Sequence, residues 1–357
     1  MGPGPSNPYP EAMAAMGRPM LGHLDPAFLA LLDETMERLR AVFATANPLT
    51  LPISGTGSAG MEASFVNFVQ PGDPVVVGVN GLFGERMCEV ARRVGGDVIR
   101  VDASWGQPLD PEALLGAHAS PKVIAVVHAE TSTGVRNDVA TLAAHKGEAI
   151  LLVDTVTSLG GIEVGVDDWG IDVCYSCSQK CLGAPPGLAP MTVSPAAMRR
   201  RVPVPSSWYL DLNLLSRYVA EGSGGRVYHH TAPVAMIGAL HAALGAVLAE
   251  GLREVWRRHA ECGKLLQDGL EELGLSMFAP EGARMPQLTT VVVPDNLPDG
   301  HDDRSFRAML LDVYGIEIGG GVGPTAGRIW RIGCMGHTAR PRNVLALLGT
   351  LREALKR

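Results

Sequence analysis

Residues 149–154 have the sequence Ala-Ile-Leu-Leu-Val-Asp. An uninterrupted apolar run of this length is typical of a strand that is buried on both faces of a parallel sheet. Similar runs occupy residues 75–79, 122–128 and 173–176, and helical patterns such as the one over 84–94 lie between them. This alternation predicts an α/β fold in which helices sandwich a mainly parallel sheet.

The pattern along the chain predicts three regions. Residues 1–20 are rich in Pro and Gly and have little periodicity, which favours an extended N-terminal arm. Residues 21–254 form the predicted large domain, and a smaller C-terminal α+β domain is expected over 255–357. A long helical pattern from about Met236 to Leu273 leads from one domain into the other.

Composition and charge exclude several classes of protein. The 357 residues include 30 Lys+Arg and 37 Asp+Glu, a net charge of −7, and a nucleic-acid-binding chain is expected to be basic instead. The sequence has no apolar run of the roughly 20 residues that a membrane span needs, and its N-terminus lacks the pattern of a secretion signal. We therefore expect a cytoplasmic protein that binds neither nucleic acid nor a membrane.

The six cysteines are too few for a disulfide scaffold in a chain of this length. Three of them, Cys174, Cys177 and Cys181, have a spacing that superficially suggests a metal site. The sequence around them offers no obvious fourth ligand, and Cys is among the most frequently buried residue types. We expect three buried thiols and no metal.

A glycine-rich segment follows the predicted strand that ends near residue 54. Its sequence, Gly55-Thr56-Gly57-Ser58-Ala59-Gly60, matches the G-x-G-x-x-G pattern of dinucleotide-binding folds. That fingerprint also requires an acidic residue at the end of the next strand, where this chain has Asn80-Gly81. The pattern is still compatible with an anion cup for one phosphate at a helix N-terminus. A tight turn that needs glycine explains it equally well.

Two ionisable residues follow neighbouring apolar strands. Asp154 ends its strand, where a carboxylate is costly to bury without a partner, unless it only caps a turn. Lys180 lies 26 residues further on. Apolar surroundings would lower the pKa of its amine and make it a competent Schiff-base nucleophile, although a single lysine is more often a solvated surface residue.

Together these features match the needs of one cofactor. A phosphate cup, a buried aspartate and a desolvated lysine on successive strand ends are what pyridoxal 5′-phosphate (PLP) requires. The aspartate would pair with the protonated pyridine nitrogen, and the lysine would form a Schiff base. Phe83 is placed to lie on the cofactor ring.

Motifs that span nearly the whole chain carry a specific resemblance. They lie at residues 2–7, 47–50, 54–57, 80–84, 130–135, 153–161, 178–180, 228–233 and 331–333. With them the chain resembles the class V, fold type I, PLP-dependent aminotransferases of the alanine–glyoxylate and serine–pyruvate group. The resemblance implies their fold, with a large PLP-binding domain and a smaller C-terminal domain.

The resemblance also implies roles for matching residues. Lys180 would be the Schiff-base lysine and proton carrier, and Asp154 the partner of the pyridine nitrogen. Further cofactor contacts are implied for Thr56, Gly57, Ser58, Phe83, Thr131, Val156 and Gln179. Two departures from the animal enzymes, Phe83 where they have Trp and Ser58 where they have His, loosen any inference about substrate size and cofactor affinity.

Substrate and subunit contacts are implied as well. Arg331 would clamp the substrate carboxylate, and Ser6 and Asn7 would lie near the substrate on the arm. Tyr228 and Thr231 would reach the phosphate held by the partner subunit, which implies a homodimer with shared active sites. The implied small-molecule partners are amino acids and keto acids.

These inferences predict a ping-pong aminotransferase that moves an amino group from alanine or serine to glyoxylate or pyruvate. Related enzymes use phosphonate, hydroxykynurenine or pyridoxamine donors, and these remain alternatives. A cysteine desulfurase or lyase is another, although desulfurases have His where this chain has Gln179, and Cys334 is only a loosely placed candidate for their mobile cysteine. An NAD-dependent dehydrogenase is supported by the G-x-G-x-x-G match alone.

Overall fold

The computed structural model describes residues 1–219 and 226–356 of the chain. The strands are β1 (Leu49–Ser54), β2 (Pro74–Val79), β3 (Asp97–Asp102), β4 (Val123–Val127), β5 (Ala129–Glu130), β6 (Val135–Arg136), β7 (Ile150–Asp154), β8 (Val173–Tyr175), β9 (Leu188–Val193), β10 (Leu288–Val292), β11 (Gly319–Gly320) and β12 (Ile329–Gly333). The α-helices are α1 (Pro10–Met16), α2 (Pro26–Phe43), α3 (Gly57–Phe68), α4 (Leu82–Arg93), α5 (Pro111–Gly116), α6 (Val139–His145), α7 (Val166–Trp169), α8 (Pro195–Arg199), α9 (Leu212–Val219), α10 (Val234–Glu250), α11 (Leu252–Glu272), α12 (Asp303–Tyr314) and α13 (Pro341–Ala354).

A seven-stranded sheet in the order β1-β9-β8-β7-β4-β2-β3 forms the centre of the large domain. Every neighbouring pair from β8 to β3 is parallel, and β9 is antiparallel to both of its neighbours. All residues of β4 and β7 are buried, because helices cover both faces of the sheet. The predicted α/β fold with a mainly parallel sheet is confirmed.

A smaller antiparallel sheet, in the order β10-β12-β11, lies towards the C-terminus. Its strands and the helices α11, α12 and α13 contribute to a hydrophobic cluster that begins in sequence at Cys262, apart from Met1 at its edge. The main cluster of the large domain extends to Val255. This separation supports a domain boundary near residue 255, which stays a prediction.

Two local expectations are wrong. The helical pattern from Met236 to Leu273 is not one helix, because the chain breaks at Gly251, whose φ of 87° lies outside the helical region. The arm is not extended throughout, since residues 10–16 form α1. Pro10 is favourable at the start of that helix. The buried face of α1, which includes Ala12, packs on α10.

Helices α10 and α11 are the most relevant elements for the question of a membrane-spanning segment. Within the described part of the chain, no single helix has the length and apolar character to cross a bilayer. The two helices pass by length and composition only when taken together, and they meet at 86°.

The N-terminal arm joins the two domains. The carbonyl of Met1 accepts a hydrogen bond from the Gly333 amide at 2.8 Å, at the end of β12. Further along, the amide of Ser6 donates to the Gln179 carbonyl at 2.8 Å, and the amide of Tyr9 donates to the Gly183 carbonyl at 2.8 Å. Residues 3–5 are therefore held across the segment that contains Lys180.

A buried imidazole ties α11 to the loop after β12. His259 is fully buried, its Nδ1 lies 2.7 Å from the Val255 carbonyl, and its Nε2 accepts a hydrogen bond from the Gly336 amide at 2.9 Å. Nε2 can accept that bond only while it is unprotonated. Burial lowers the pKa of His259 from 6.5 to about 4, so the ring is neutral at pH 7.

We expect His259 to make the fold sensitive to acid. Between pH 6.5 and about 4 the unfolded chain binds a proton on this ring that the folded chain does not, so stability falls as pH decreases. The loss across this window is about 3 kcal/mol for this group. Urea unfolding followed by circular dichroism at several pH values measures it.

The variants His259→Gln and His145→Gln give the comparison. His259→Gln is expected to be less stable at pH 7.5 and to lose less stability on acidification than the wild type. His145 is exposed, and its replacement is expected to leave the pH dependence unchanged. An unchanged pH dependence in His259→Gln contradicts the assignment.

Candidate active site

A cavity of about 270 Å³ lies at the carboxyl ends of the central strands. Eight residues predicted from the sequence line it: Thr56, Gly57, Ser58, Phe83, Asp154, Val156, Gln179 and Lys180. The other lining residues are Gly4, Pro5, Met61, Arg86 and Pro186. A larger cavity of about 690 Å³, next to His128 and Trp169, contains none of the predicted site residues.

The carboxylate of Asp154 forms one wall of the cavity at the end of β7. Only 2% of the residue is exposed, Oδ1 accepts from the Val156 amide at 2.8 Å, and Oδ2 accepts from the Tyr175 hydroxyl at 2.6 Å. Burial raises the pKa of Asp154 to about 6, and the two hydrogen bonds oppose that rise because they favour the charged form. The carboxylate is therefore mostly ionised at pH 7, and among the described residues no cationic side chain forms an ion pair with it.

Tyr175 is a site residue that the sequence did not indicate. It lies at the end of β8, directly opposite Asp154 in the parallel pairing of β7 and β8, and it is fully buried. Burial and the neighbouring carboxylate raise the pKa of Tyr175 well above 10, so its hydroxyl remains a donor. In a hydrophobic strand a tyrosine looks like a core residue, and only the register of the two strands brings its hydroxyl to the carboxylate.

The first turn of α3 forms an anion cup. Thr56 precedes the helix and its side chain makes no capping hydrogen bond there, so the N–H groups of Gly57 and Ser58 are left for a ligand, while the Ala59 amide donates to the Thr56 carbonyl at 2.7 Å. A Cβ on Gly57 would come within 2.9 Å of Val156 Cγ2, so glycine permits the close packing of cup and wall. Among the described residues, the side-chain oxygen of Gln179 is buried without a hydrogen-bond partner. Rotation of this amide by half a turn would place its N–H groups where the oxygen now lies.

The amine of Lys180 reaches the cavity from the turn after β8. Nζ donates a hydrogen bond to the carbonyl of Pro3 on the arm, a neutral acceptor. Burial lowers the pKa of Lys180, and the positive charge of Arg331 contributes to the lowering. A larger fraction of this amine is therefore unprotonated at neutral pH than in an exposed lysine, as a nucleophile or base requires.

Two predicted residues, Thr131 and Arg331, do not line the cavity. Thr131 is buried, and its hydroxyl is 2.8 Å from the Thr157 hydroxyl. Arg331 on β12 is half-buried, and its Nε donates to the Gly320 carbonyl at 2.7 Å. Burial lowers the pKa of Arg331 and buried Glu130 opposes this, but within residues 1–219 and 226–356 Arg331 forms no ion pair.

Four further predicted residues do not meet this cavity. The Ser6 hydroxyl donates to the Lys180 carbonyl at 2.8 Å and so fixes the arm to the lysine turn, while the Asn7 side chain is exposed. Tyr228 and Thr231 are also exposed, and their hydroxyls lie 3.4 Å apart. Within one chain they contact none of the cavity-lining side chains through a hydrogen bond.

Arg86 and Glu130 belong to the surroundings of the site and were not predicted. Glu130 is fully buried and accepts from the Phe83 amide at 3.1 Å and from the Ser132 hydroxyl at 2.6 Å, which anchors the start of α4. Burial raises the pKa of Glu130. Arg86 follows Phe83 by three positions on α4, a spacing that places both on one helix face. Once Phe83 is assigned to the cofactor ring, this spacing points to Arg86 as a second site residue.

The cysteine cluster supports the segment after β7. Cys174, Cys177 and Cys181 are buried and unpaired as disulfides. Their sulfur atoms lie 3.3 Å from the Thr155 hydroxyl, 3.7 Å from the Val156 carbonyl and 3.3 Å from the Thr157 carbonyl, respectively. In the part of the chain that the structure describes, no group of three or more His, Cys, Asp or Glu side chains is arranged to hold a metal ion.

The residues present fit PLP. The cup at α3 and the unpartnered amide of Gln179 suit its phosphate, the unpaired carboxylate of Asp154 suits a protonated pyridine nitrogen, and the buried amine of Lys180 suits its aldehyde.

Comparison with known proteins gives the same family throughout. The model of the class-V aminotransferase family matches residues 6–331. An alanine–glyoxylate aminotransferase of Drosophila melanogaster is 40% identical over 100% of this chain and 92% of its own length. The (S)-ureidoglycine–glyoxylate transaminase of Bacillus subtilis is 37% identical over 100% of this chain and 90% of its own length.

Solved structures agree with the sequence comparison. A crystal structure of an alanine–glyoxylate aminotransferase from Nostoc sp. has a TM-score of 0.93 and 46% sequence identity, and the match covers 99% of this chain and 94% of that one. A cavity that gathers a lysine, an aspartate and an anion cup at the strand ends is what PLP chemistry needs. This chain belongs to the class-V aminotransferase family and is a PLP-dependent aminotransferase.

Proposed function

We propose that this aminotransferase moves the amino group of a small amino acid, alanine or serine, to glyoxylate by a ping-pong mechanism. The cavity at the carboxyl ends of the strands carries the proposal, because it brings together the amine of Lys180, the carboxylate of Asp154 and the anion cup. The names of two relatives favour alanine as the donor. The names of the relatives favour glyoxylate as the acceptor.

The two residues that would act on the reacting atoms have complementary protonation states. When bound, PLP draws electrons away from the α-carbon of the amino acid. Lys180 would take the α-proton on Nζ as a general base, for which its lowered pKa is suited. The Asp154 carboxylate would hold a proton on the pyridine nitrogen through a charge-assisted hydrogen bond.

Arg331 would bind the substrate carboxylate. Its Nε is already committed to the Gly320 carbonyl, which fixes the plane of the guanidinium and leaves the terminal nitrogens for a ligand. An Arg–carboxylate pair is usually bidentate, so the clamp would orient the small substrate as well as bind it. The residues 3–5 of the arm that line or adjoin the cavity would limit access of water to Lys180.

We also propose a homodimer with shared sites. Tyr228 and Thr231 are exposed and lie apart from the cavity of their own chain, as is expected of residues that serve the partner subunit. Trp208, Tyr209 and Val227 nearby in sequence are also exposed, by 62%, 42% and 43%, and such a group of apolar side chains favours an interface. The cytoplasmic location expected from the sequence stays a prediction.

The absorption spectrum of the PLP-loaded enzyme tests the donor and the acceptor. We expect excess L-alanine to remove the yellow absorption band and glyoxylate to restore it, because each substrate completes one half-reaction. A band that alanine leaves unchanged but L-serine removes selects serine as the donor. Release of sulfide from L-cysteine without transamination would replace the proposal by a desulfurase.

Tyr175→Phe tests how the carboxylate of Asp154 is kept ionised. Removal of the hydroxyl deletes a hydrogen bond to the charged form, so the pKa of Asp154 rises. We expect the acidic limb of the pH profile of PLP binding to the apoenzyme, where Asp154 is still without its ligand, to move to higher pH by about one unit. Tyr218→Phe is the matched control, because the Tyr218 hydroxyl is buried without a hydrogen-bond partner among the described residues. Equal profiles for the two variants would contradict this role.

Mixed subunits test the shared site. Lys180→Ala alone and Tyr228→Ala combined with Thr231→Ala are each expected to lose most activity. If each site takes Lys180 from one subunit and Tyr228 and Thr231 from the other, a mixed dimer contains one intact site. Random reassociation of equal amounts is then expected to restore about one quarter of the wild-type specific activity. If each site were built within one subunit, mixing would restore none.

A further inference from the structure

Arg86 is a cationic side chain beside the anion cup, and the proposed reaction gives it no role. It lies on α4 and lines the same cavity as Lys180. Its Nη1 donates to the Ser58 hydroxyl at 3.2 Å, and its guanidinium carbon lies 4.9 Å from the centre of the Phe83 ring. The guanidinium thus spans the distance between the cup and the aromatic side chain expected to cover the cofactor ring.

The positive charge of Arg86 lacks an ion-pair partner among the described residues. Across residues 1–219 and 226–356 it forms no ion pair. On the same helix Arg92 and Arg93 are exposed to solvent, and Arg93 pairs with Glu89. An unpaired guanidinium at the wall of a half-enclosed cavity favours an anionic ligand there.

The cup itself supplies only neutral donors. Thr56, Ser58 and Gln179 offer hydroxyl and amide groups, and Gly57 offers a backbone N–H. A phosphate monoester carries close to two negative charges at pH 7, and buried charge needs compensation. The cationic side chains that line the cavity are Lys180 and Arg86, and Lys180 becomes unavailable once its amine bonds to the cofactor.

We propose that Arg86 binds the phosphate of PLP through its guanidinium and, by the same placement, holds the Phe83 ring over the cofactor. Because Nη1 already contacts the hydroxyl of Ser58, a phosphate seated on that hydroxyl lies within reach of the guanidinium. Stacking on Phe83 fixes the long side chain, so little rotamer freedom is lost when the phosphate binds. The inference rests on the cofactor of the family and on no particular amino donor.

The binding of PLP and of pyridoxal to the apoenzyme tests the proposal, with no substrate present. Both compounds offer an aldehyde to Lys180 and a ring to Phe83, and only PLP has a phosphate. For Arg86→Gln we expect the Kd for PLP to rise about 10- to 100-fold, as loss of a charge-assisted hydrogen bond implies. The Kd for pyridoxal is expected to rise by a clearly smaller factor, because only the support of the Phe83 ring is lost. Arg86→Lys is expected to restore part of the difference because it keeps the charge.

Arg92→Gln is the matched control, since this arginine is exposed on the same helix and lies outside the cavity. Circular dichroism of each apoenzyme confirms that the variants fold. An equal rise in both Kd values for Arg86→Gln would show that Arg86 acts only through Phe83 and would overturn the phosphate assignment, as would no change in either. Because no amino acid is present, the outcome is independent of whether alanine and glyoxylate are the substrates.

Discussion

The carboxylate of Asp154, buried at the end of a central strand, is the group on which the geometry of the site depends. Burial disfavours its charge, and two neutral donors, the Tyr175 hydroxyl and the Val156 amide, make the ionised form accessible near neutral pH. Both donors depend on the sheet. Tyr175 reaches Asp154 only if β7 and β8 are parallel and in this register. Val156 follows β7 in the segment that the three buried thiols contact, and its side chain packs against Gly57 of the cup.

The amine of Lys180 and the carboxylate of Asp154 form no ion pair with each other. A direct ion pair between Lys180 and Asp154 would keep the amine protonated and mask the carboxylate, so neither would be ready for its role. In the structure the Lys180 amine donates to the neutral carbonyl of Pro3, and Asp154 is satisfied by neutral donors. The N-terminal arm therefore supplies the hydrogen-bond acceptor of the lysine amine, although it is distant in sequence.

The sequence predicts the architecture and directs attention to the residues at the strand ends. Apolar runs predicted β2, β4, β7 and β8, and the rule that ligands bind at carboxyl ends led to Asp154 and Lys180. Tyr175 and Arg86 were missed for different reasons. Tyr175 is indistinguishable from a core residue until the strand register is known, and Arg86 is one of several arginines on α4 until the ring and the cup are placed beside it. The break at Gly251 was missed because apolar periodicity continued through it, whereas backbone conformation ended the helix.

The charges that remain unpaired in the cavity indicate the kind of molecule it was shaped to hold. Among the described residues neither Asp154 nor Arg86 forms an ion pair, and burial lowers the pKa of the Lys180 amine. The charge of Asp154 costs stability in the empty protein, because burial disfavours a charge that no cation balances. A ligand with a basic ring nitrogen, an aldehyde and a phosphate meets all three needs at once, and a ligand that binds only the folded state stabilises it. The electrostatic cost of the empty site is thus a source of both cofactor affinity and specificity, because a molecule without one of these groups leaves one of the three uncompensated.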